Sequence, residues 1–454
     1  MKLKLNRFFF GALSVALTLA SCSNKEIPGV ENGDDLIAGL PTMARIAVSQ
    51  SGTGNTRAGG TETATDAEKT LGAVTVYVFS EGTLTDIQTI ASGQNSVTFN
   101  TTTGRKQLFA VGNIPAERLA GVKVENNMSL QEVKKQILDV ASIADLATDN
   151  AFWITNFNEA PVVTVKNANQ SEASTINNFT INIGRACAKV NLALDAHAVQ
   201  NGGTLTDIKY RVRNNPKRMY LLPTFLPGND QQLITPYYDF AWNTTGADTG
   251  TGAMGTTVDA GSYFGNGDAT PPTFTAVGTP EYMMENSNAT VLRGKATYLS
   301  ITGKWVPNTD QLKKADGTPA TALTETDGSF WRIAQVENKS QANEKIIAWE
   351  DGIFIETPTV ANADDASHKT VKFTGGTCYY GMWIADNTQN ISSRKYSVWR
   401  NRYYKVNITD VKGPGVNTED GVVPDPTDPV EQDAYMQATI QVNDWIVIDQ
   451  SGGI

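Results

Sequence analysis

Short runs of alternating apolar and polar residues recur along the chain. Examples are Val74-Thr75-Val76-Tyr77-Val78-Phe79, Phe179-Thr180-Ile181-Asn182-Ile183 and Tyr404-Lys405-Val406-Asn407-Ile408. A two-residue period puts the apolar side chains on one face of a strand. Clusters of Gly, Asn and Asp separate the runs, as turns do. The pattern predicts a mainly β protein built from β-sandwiches. One helix is predicted: Ser129-Leu130-Gln131-Glu132 has the form of a capping box, with Val133, Ile137 and Leu138 following at helical spacing. It is expected to cover one sandwich and to carry no chemistry.

The clearest strand pattern stands near the end, in 434–449. Met436, Ala438, Ile440 and Val442 share one face, with Gln437, Thr439, Gln441 and Asn443 on the other. Asn443-Asp444 interrupts the alternation, and Trp445, Ile446 and Ile448 follow. Two strands could meet there, one staying in its own domain and one given to a neighbour. The strand hangs on an acidic stretch, 413–433, with Pro414, Pro424, Pro426 and Pro429 among Glu419, Asp420, Asp425, Asp428, Glu431 and Asp433. Prolines and like charges predict an extended tether, about 60 Å long at roughly 3.1 Å per residue.

The other end of the chain bears on location. Lys2, Lys4 and Arg7 precede an apolar run from Phe8 to Ala20, too short to remain as a membrane-spanning helix. Leu19-Ala20-Ser21-Cys22 then places small residues before a cysteine, the arrangement a lipoprotein signal peptidase accepts. Residues 1–21 are expected to be a signal peptide and Cys22 the lipidated first residue, on a bacterial envelope with an outer membrane. Met43-Ala44-Arg45-Ile46-Ala47-Val48 predicts a short strand. The small polar segment from Ser49 to Gly60 has Arg57 as its single positive charge, and exposed segments of this kind are where proteases cut. A first domain is expected over 58–204, closed by Gly202-Gly203-Thr204, and a second over 205–454, with long loops between Pro227 and Thr279.

Composition narrows the function classes. The chain has 454 residues and a formal charge of −10. It has no basic cluster, which argues against nucleic acid as a partner. The two histidines, His197 and His368, have no partner spacing, so neither a catalytic triad nor a zinc site is predicted. Gly250-Thr251-Gly252-Ala253-Met254-Gly255 matches a dinucleotide pattern but lacks the flanking strand and helix. Asp364-Asp365 and the tether acids lack EF-hand spacing. No catalytic residue, metal or cofactor is expected. Cys187 and Cys378 leave a disulfide open, with two buried thiols as the alternative. Tyr237, Tyr238, Trp242 and Tyr263 could stack on sugars or simply pack.

Taken in order, these parts resemble a family. The ordered features are the Cys22 signal, a short strand, Thr56-Arg57-Ala58-Gly59-Gly60, Ile208-Lys209-Tyr210-Arg211-Val212 with Arg218-Met219-Tyr220-Leu221, Ser397-Val398-Trp399-Arg400-Asn401-Arg402-Tyr403-Tyr404, an acidic Pro-rich stretch and a Trp-containing last strand. Together they are similar to the major fimbrial subunits (fimbrillins) of Bacteroidales type V pili, closest to the short-fimbria type. The resemblance implies two transthyretin-like β-sandwich domains, the first with a short covering helix.

It also implies a lipoprotein precursor, 22–57 being a propeptide removed by an Arg-specific surface protease at Arg57-Ala58. The released strand would carry Met43, Ala44, Ile46 and Val48. Met436, Ala438, Ile440, Val442, Trp445, Ile446 and Ile448 would supply a donor strand to the next copy. Arg45 is a rival cleavage site, but a cut there leaves Ile46-Ala47-Val48 attached. Implied partners are further copies in a fibre, accessory and anchor subunits, and host or bacterial surface receptors in adhesion and biofilm formation. An accessory or tip subunit and a glycan-binding surface lipoprotein are the alternatives.

Overall fold

The computed structural model describes residues 37–50, 68, 70–119, 121–148, 151–156, 161–243, 257–266, 270, 273–341, 344–431 and 435–444. Cys22, Arg57, Ala58, Trp445, Ile446, Ile448 and the glycine-rich 250–255 motif lie outside the described residues.

The first body is a sheet that curls around its own core. Its strands are β1 (Pro41–Ser49), β2 (Val74–Ser80), β3 (Thr83–Ile90), β4 (Ser96–Thr102) and β5 (Gly104–Gly112). After helix α1 (Leu130–Lys134) and β6 (Ile137–Asp139) come β7 (Ile154–Asn156), β8 (Val162–Val165) and β9 (Asn178–Arg185). The order is β3-β2-β5-β7-β9-β1-β4, with β8 also on β5. Val74, Val76 and Val78 point into a core with Ala44, Ile46, Leu108, Ile181 and Ile183. Tyr77 and Phe79, on the opposite face of β2, enter a second cluster with Phe109, Val133, Cys187, Met219 and Tyr403. Both faces of β2 are therefore buried, which explains the nearly continuous apolar run from Val74 to Phe79.

The second body begins at β10 (Ala188–Gln200) and continues through β11 (Gly203–Arg213), β12 (Arg218–Tyr220), β13 (Glu281–Met283) and β14 (Tyr298–Pro307). Next are β15 (Phe330–Glu337), β16 (Lys345–Trp349), β17 (His368–Phe373), β18 (Thr377–Trp383), β19 (Arg402–Val411) and β20 (Met436–Asp444). One four-stranded sheet has the order β13-β10-β19-β20; β11, β14 and β18 form most of another. They share a core that includes Val190, Leu192, Ile301, Tyr380, Val406 and Ile408. A third sheet, built on β15, β16 and β17, adds Phe330 and Phe373 to that core; the sequence reading had no counterpart for it.

Two expectations are corrected. The Gly202-Gly203 break is not a domain boundary. It is the turn between β10 and β11, both in the second body, and the chain changes sheets across buried Ala186 and Cys187. A Gly-Gly pair marks a tight turn whether or not a domain ends there. The capping box at Ser129 and Glu132 is present, but α1 stops at Lys134. Ile137 and Leu138 lie instead in β6, which pairs with β12 of the second body, so tertiary pairing overrides a weak helical period. Of the two alternatives left open for Cys187 and Cys378, the structure holds buried thiols in separate cores and no disulfide between them.

The two bodies are clamped by polar groups removed from water. Arg400 donates to both carboxylate oxygens of Glu285, at 3.0 and 2.6 Å, and to Thr155 Oγ1 of β7 at 2.9 Å. The side chains of the pair are 1% and 2% exposed. Asn401 presses on Gly184 so closely that a Cβ there would lie 2.3 Å from the amide carbon. Its Oδ1 accepts the Arg185 N–H at 3.1 Å. A buried ion pair contributes little over an apolar pair, but breaking it strands a charge. Glu285→Ala is therefore expected to cost about 3–5 kcal/mol, measured as a lowered urea midpoint, with part of the loss recovered in the Glu285→Met/Arg400→Met double variant.

Candidate strand-exchange site

β1 lies inside the first sheet and not at its edge. It runs parallel to β9, from Arg45 opposite Asn178 to Ser49 opposite Asn182, and antiparallel to β4, from Pro41 opposite Thr102 to Ala47 opposite Ser96. Ala44, Ile46 and Val48 point into the core, at 1%, 1% and 8% exposure. Burying an Ile or Val side chain contributes roughly 1.5–3 kcal/mol. Thr42 shares their face. Its hydroxyl accepts the Ala168 N–H at 2.8 Å and lies 2.9 Å from the Lys166 carbonyl, to which it donates. Met43 is out of phase with the core residues: it lies half-buried on the opposite face, and its carbonyl accepts from Asn177 Nδ2 at 2.8 Å.

Arg45 also faces outward, its guanidinium donating to Asn178 Oδ1 and Ser96 Oγ, each at 2.8 Å. With strands paired on both sides, the peptide bonds around it are unavailable to a protease that needs an extended, unpaired segment.

Beyond β1 the chain is fastened again at Glu68. This residue is 1% exposed. Its carboxylate receives Lys189 Nζ at 3.0 Å and the Tyr282 hydroxyl at 3.1 Å. Its carbonyl accepts from Arg185 Nε and Nη2 at 3.1 and 2.8 Å. β1 on one side and Glu68 on the other thus bracket the segment that contains Arg57.

At the far end of the chain, β20 is an edge strand. It pairs antiparallel with β19 from Arg402 opposite Asp444 to Val411 opposite Met436, with a bulge between Ile408 and Asp410. Met436 is buried, whereas Ala438, Ile440 and Val442 are half-buried against the second core. The amide Nδ2 of Asn443 is buried without a partner among the described residues.

The acidic stretch before β20 is a fastened strap, not an extended tether. Arg211 and Arg213 grip Glu419, the latter at 2.7 Å. Val416 pairs with Tyr379, and Val422 is buried beside Trp383. The Pro426 carbonyl accepts the Gly294 N–H at 2.9 Å, and Asp428 lies 3.5 Å from Lys345 Nζ. Opposite charges supplied by the body cancel the repulsion that would have extended it.

The remaining sequence candidates are ordinary packing or surface bracing. Tyr237 and Tyr263 are buried, with Phe240 and Trp242 against them. Asp364 pairs with Lys339, and His368 bridges Asp365 and Glu350.

Two family models match the chain. One, for the major fimbrial subunit protein FimA, matches residues 44–213; the other, for the C-terminal part of the type IV major fimbrial subunit protein, fimbrillin, matches residues 371–451. Together they span more than half of the sequence. The chain belongs to the fimbrillin family. Fimbrillins are structural subunits of cell-surface fimbriae, so the protein is a fimbrial structural protein with a role in adhesion.

Solved structures similar to it include a fimbrilin from Porphyromonas gingivalis, 17% identical, covering 90% of this chain and 99% of that one, with a TM-score of 0.49. A putative cell adhesion protein from Bacteroides eggerthii is 15% identical over 92% and 99%, with a TM-score of 0.44. Another from Parabacteroides distasonis is 13% identical over 91% and 99%, with a TM-score of 0.45. No curated protein sequence matches the chain. The model that begins at Ala44 takes in most of β1, and the one that ends at Gly's neighbour Ser451 takes in all of β20.

The Glu419 latch has a pH signature. Burial opposes its charge, but hydrogen bonds from Arg211 and Ser300 and the charges of Arg213 and Arg211 outweigh it and hold the carboxyl below its usual range. A depressed folded-state value means that the latch contributes fully above the unfolded value of about 4.3 and is lost as pH falls through the folded one. The protection of the Val416 and Val422 amides, relative to their intrinsic exchange rates, should therefore fall on acidification below the ordinary glutamate range, and in Glu419→Gln it should already be lower at neutral pH.

Proposed function

We propose that this fimbrillin is a shaft subunit that matures by losing its own N-terminal strand and polymerises by strand exchange between copies. The observation that carries the reading is the position of β1. It is an interior strand, every residue of it lies upstream of Arg57, and the chain resumes a buried anchorage at Glu68. A cut at Arg57-Ala58 would leave β1 held to the sheet by noncovalent contacts alone. Its departure would open a groove between β4 and β9, lined by Phe99, Ile181 and Ile183, with backbone groups unpaired on both walls. Such a groove is strongly predisposed to accept a strand from elsewhere.

In this reading the precursor is exported as a lipoprotein acylated at Cys22 and held on the outer membrane. An Arg-specific surface protease removes residues up to Arg57. The terminal strand region of another copy then fills the groove, Met436, Ala438, Ile440 and Val442 from β20, with Trp445, Ile446 and Ile448 continuing the donated segment. Accessory and anchor subunits would join the same fibre, and surface receptors would be met by its outer face in adhesion and biofilm formation. β20 supports this role as an edge strand with one neighbour, because it can leave without dismantling an interior ladder.

Two experiments test the reading. The first residue of the mature protein, found by N-terminal sequencing, should be Ala58. Arg57→Ala should accumulate a lipidated precursor that forms no ladders on SDS gels, and normal fibres from that variant would sink the cleavage step. Lys405 stands opposite Gln441 in the docked position. The oxidised Lys405→Cys/Gln441→Cys variant should thus hold β20 in place, leaving the processed protein monomeric until a reductant is added. Polymerisation of the oxidised form would move the donated segment beyond Gln441.

A further inference from the structure

The two strands at opposite ends of the chain carry the same core-facing residues. Ala44-Arg45-Ile46-Ala47-Val48 and Ala438-Thr439-Ile440-Gln441-Val442 share Ala, Ile and Val at the first, third and fifth positions. In β1 these are the positions buried in the sheet; in β20 the same three are half-buried at an edge. Resting on the strand-exchange reading, we propose the register and direction of the exchange. Ala438, Ile440 and Val442 of a second copy take the seats of Ala44, Ile46 and Val48, and the incoming strand runs parallel to β9 and antiparallel to β4.

Packing selects this register. Each of these three seats receives the side chain it has just lost, so neither a cavity nor an overlap is created there. A shift of two residues would set Ile440 in the seat of Ala44, directly opposite Phe99, or Ala438 in the seat of Ile46, leaving a void. A shift of one would turn Gln437, Thr439 and Gln441 into the core.

The lengths agree as well. Asn443 falls in the place of Ser49, opposite Asn182, where the ladder with β9 ends. The break in alternation at Asn443-Asp444 therefore coincides with the mouth of the groove. One seat differs: Met436 replaces Thr42, whose hydroxyl bonds to Ala168 and Lys166. That position lies at the opposite end, before the three matched seats.

The groove also offers β20 more than its docked position does. There it has one neighbour, a bulged ladder and a buried Asn443 amide without a described partner. In the place of β1 it gains strands on both sides and full burial of Ile440 and Val442. The shared triplet thus directs the edge strand of one copy to the interior of another.

Disulfide trapping between copies tests register and direction together. In the place of β1, Gln437 stands where Met43 faces Asn100, and Gln441 where Ala47 faces Ser96. Directly opposed Cα atoms lie within disulfide reach, whereas a two-residue offset exceeds it. One processed chain carrying Gln437→Cys or Gln441→Cys is mixed with another carrying Asn100→Cys or Ser96→Cys, then polymerised and oxidised. The 437/100 and 441/96 combinations should give covalent dimers under non-reducing conditions, at least tenfold above 437/96 and 441/100. The reverse preference would overturn the direction and leave exchange intact. SDS-resistant ladders without trapping by any combination would overturn the register. Trapping only when both cysteines sit in one chain would mean self-filling and overturn the intermolecular assignment. Absence of ladders from every processed chain, wild type included, would count against strand exchange itself.

Discussion

An interior strand cannot be missing from a sheet. That constraint organises the first body, because β1 holds the place between β4 and β9 and contributes Ala44, Ile46 and Val48 to the core. Each wall would present unpaired N–H and C=O groups if the place were empty, and leaving such groups buried costs more than pairing them contributes. The chain meets the constraint with residues that precede a small, polar segment and a single arginine. The position is occupied in the precursor by a piece of the protein that one peptide-bond cleavage can disconnect.

Disconnection is useful only if the rest of the molecule stays rigid. The buried Arg400–Glu285 pair, its bond to Thr155 and the approach of Asn401 to Gly184 tie the two bodies together away from β1. Glu68, gripped by Lys189, Arg185 and Tyr282, fixes the chain on the far side of Arg57 from β1. Pairing of β6 with β12 adds a strand contact across the same junction. These contacts use residues downstream of Arg57, so none would be lost if the segment before it were released. Load passing along a fibre would cross this junction through buried polar bonds and the shared cluster around Tyr77, Phe109, Met219 and Tyr403.

The strands were legible in the sequence because a period of two survives any arrangement of sheets. Ala44, Ile46 and Val48 declare one face, as do Met436, Ala438, Ile440 and Val442. Met43, equally apolar and in the same strand, falls by parity on the opposite face. What the pattern could not carry was pairing between distant segments. Leu138 looks helical beside Val133 until Arg218–Tyr220 offers it a ladder. Gly202-Gly203 looks like a boundary until β10 is seen beside β19. The acidic strap looks extended until Arg211 and Arg213, some two hundred residues earlier, close on Glu419. Clustered charge predicts extension only where no counter-charge is at hand, and a one-dimensional reading has no access to that condition.

The strap changes what exchange demands of the molecule. A free tether would let β20 roam, and the choice between its own edge and a neighbour's groove would depend on concentration alone. A fastened strap holds Glu419, Val422, Pro426 and Pro429 against the second body, so the reach of β20 is set by the few residues after them. From Pro429 to Ala438 the chain spans at most about 30 Å when fully extended, half the reach expected of the whole stretch. On the strand-exchange proposal, with the strap closed, a neighbouring copy would have to stand close before its groove could be filled, and distant copies would be excluded. Under that proposal, close approach, a matched triplet and a vacated interior place would act in sequence, in an order set by the contacts that would remain once β1 had gone.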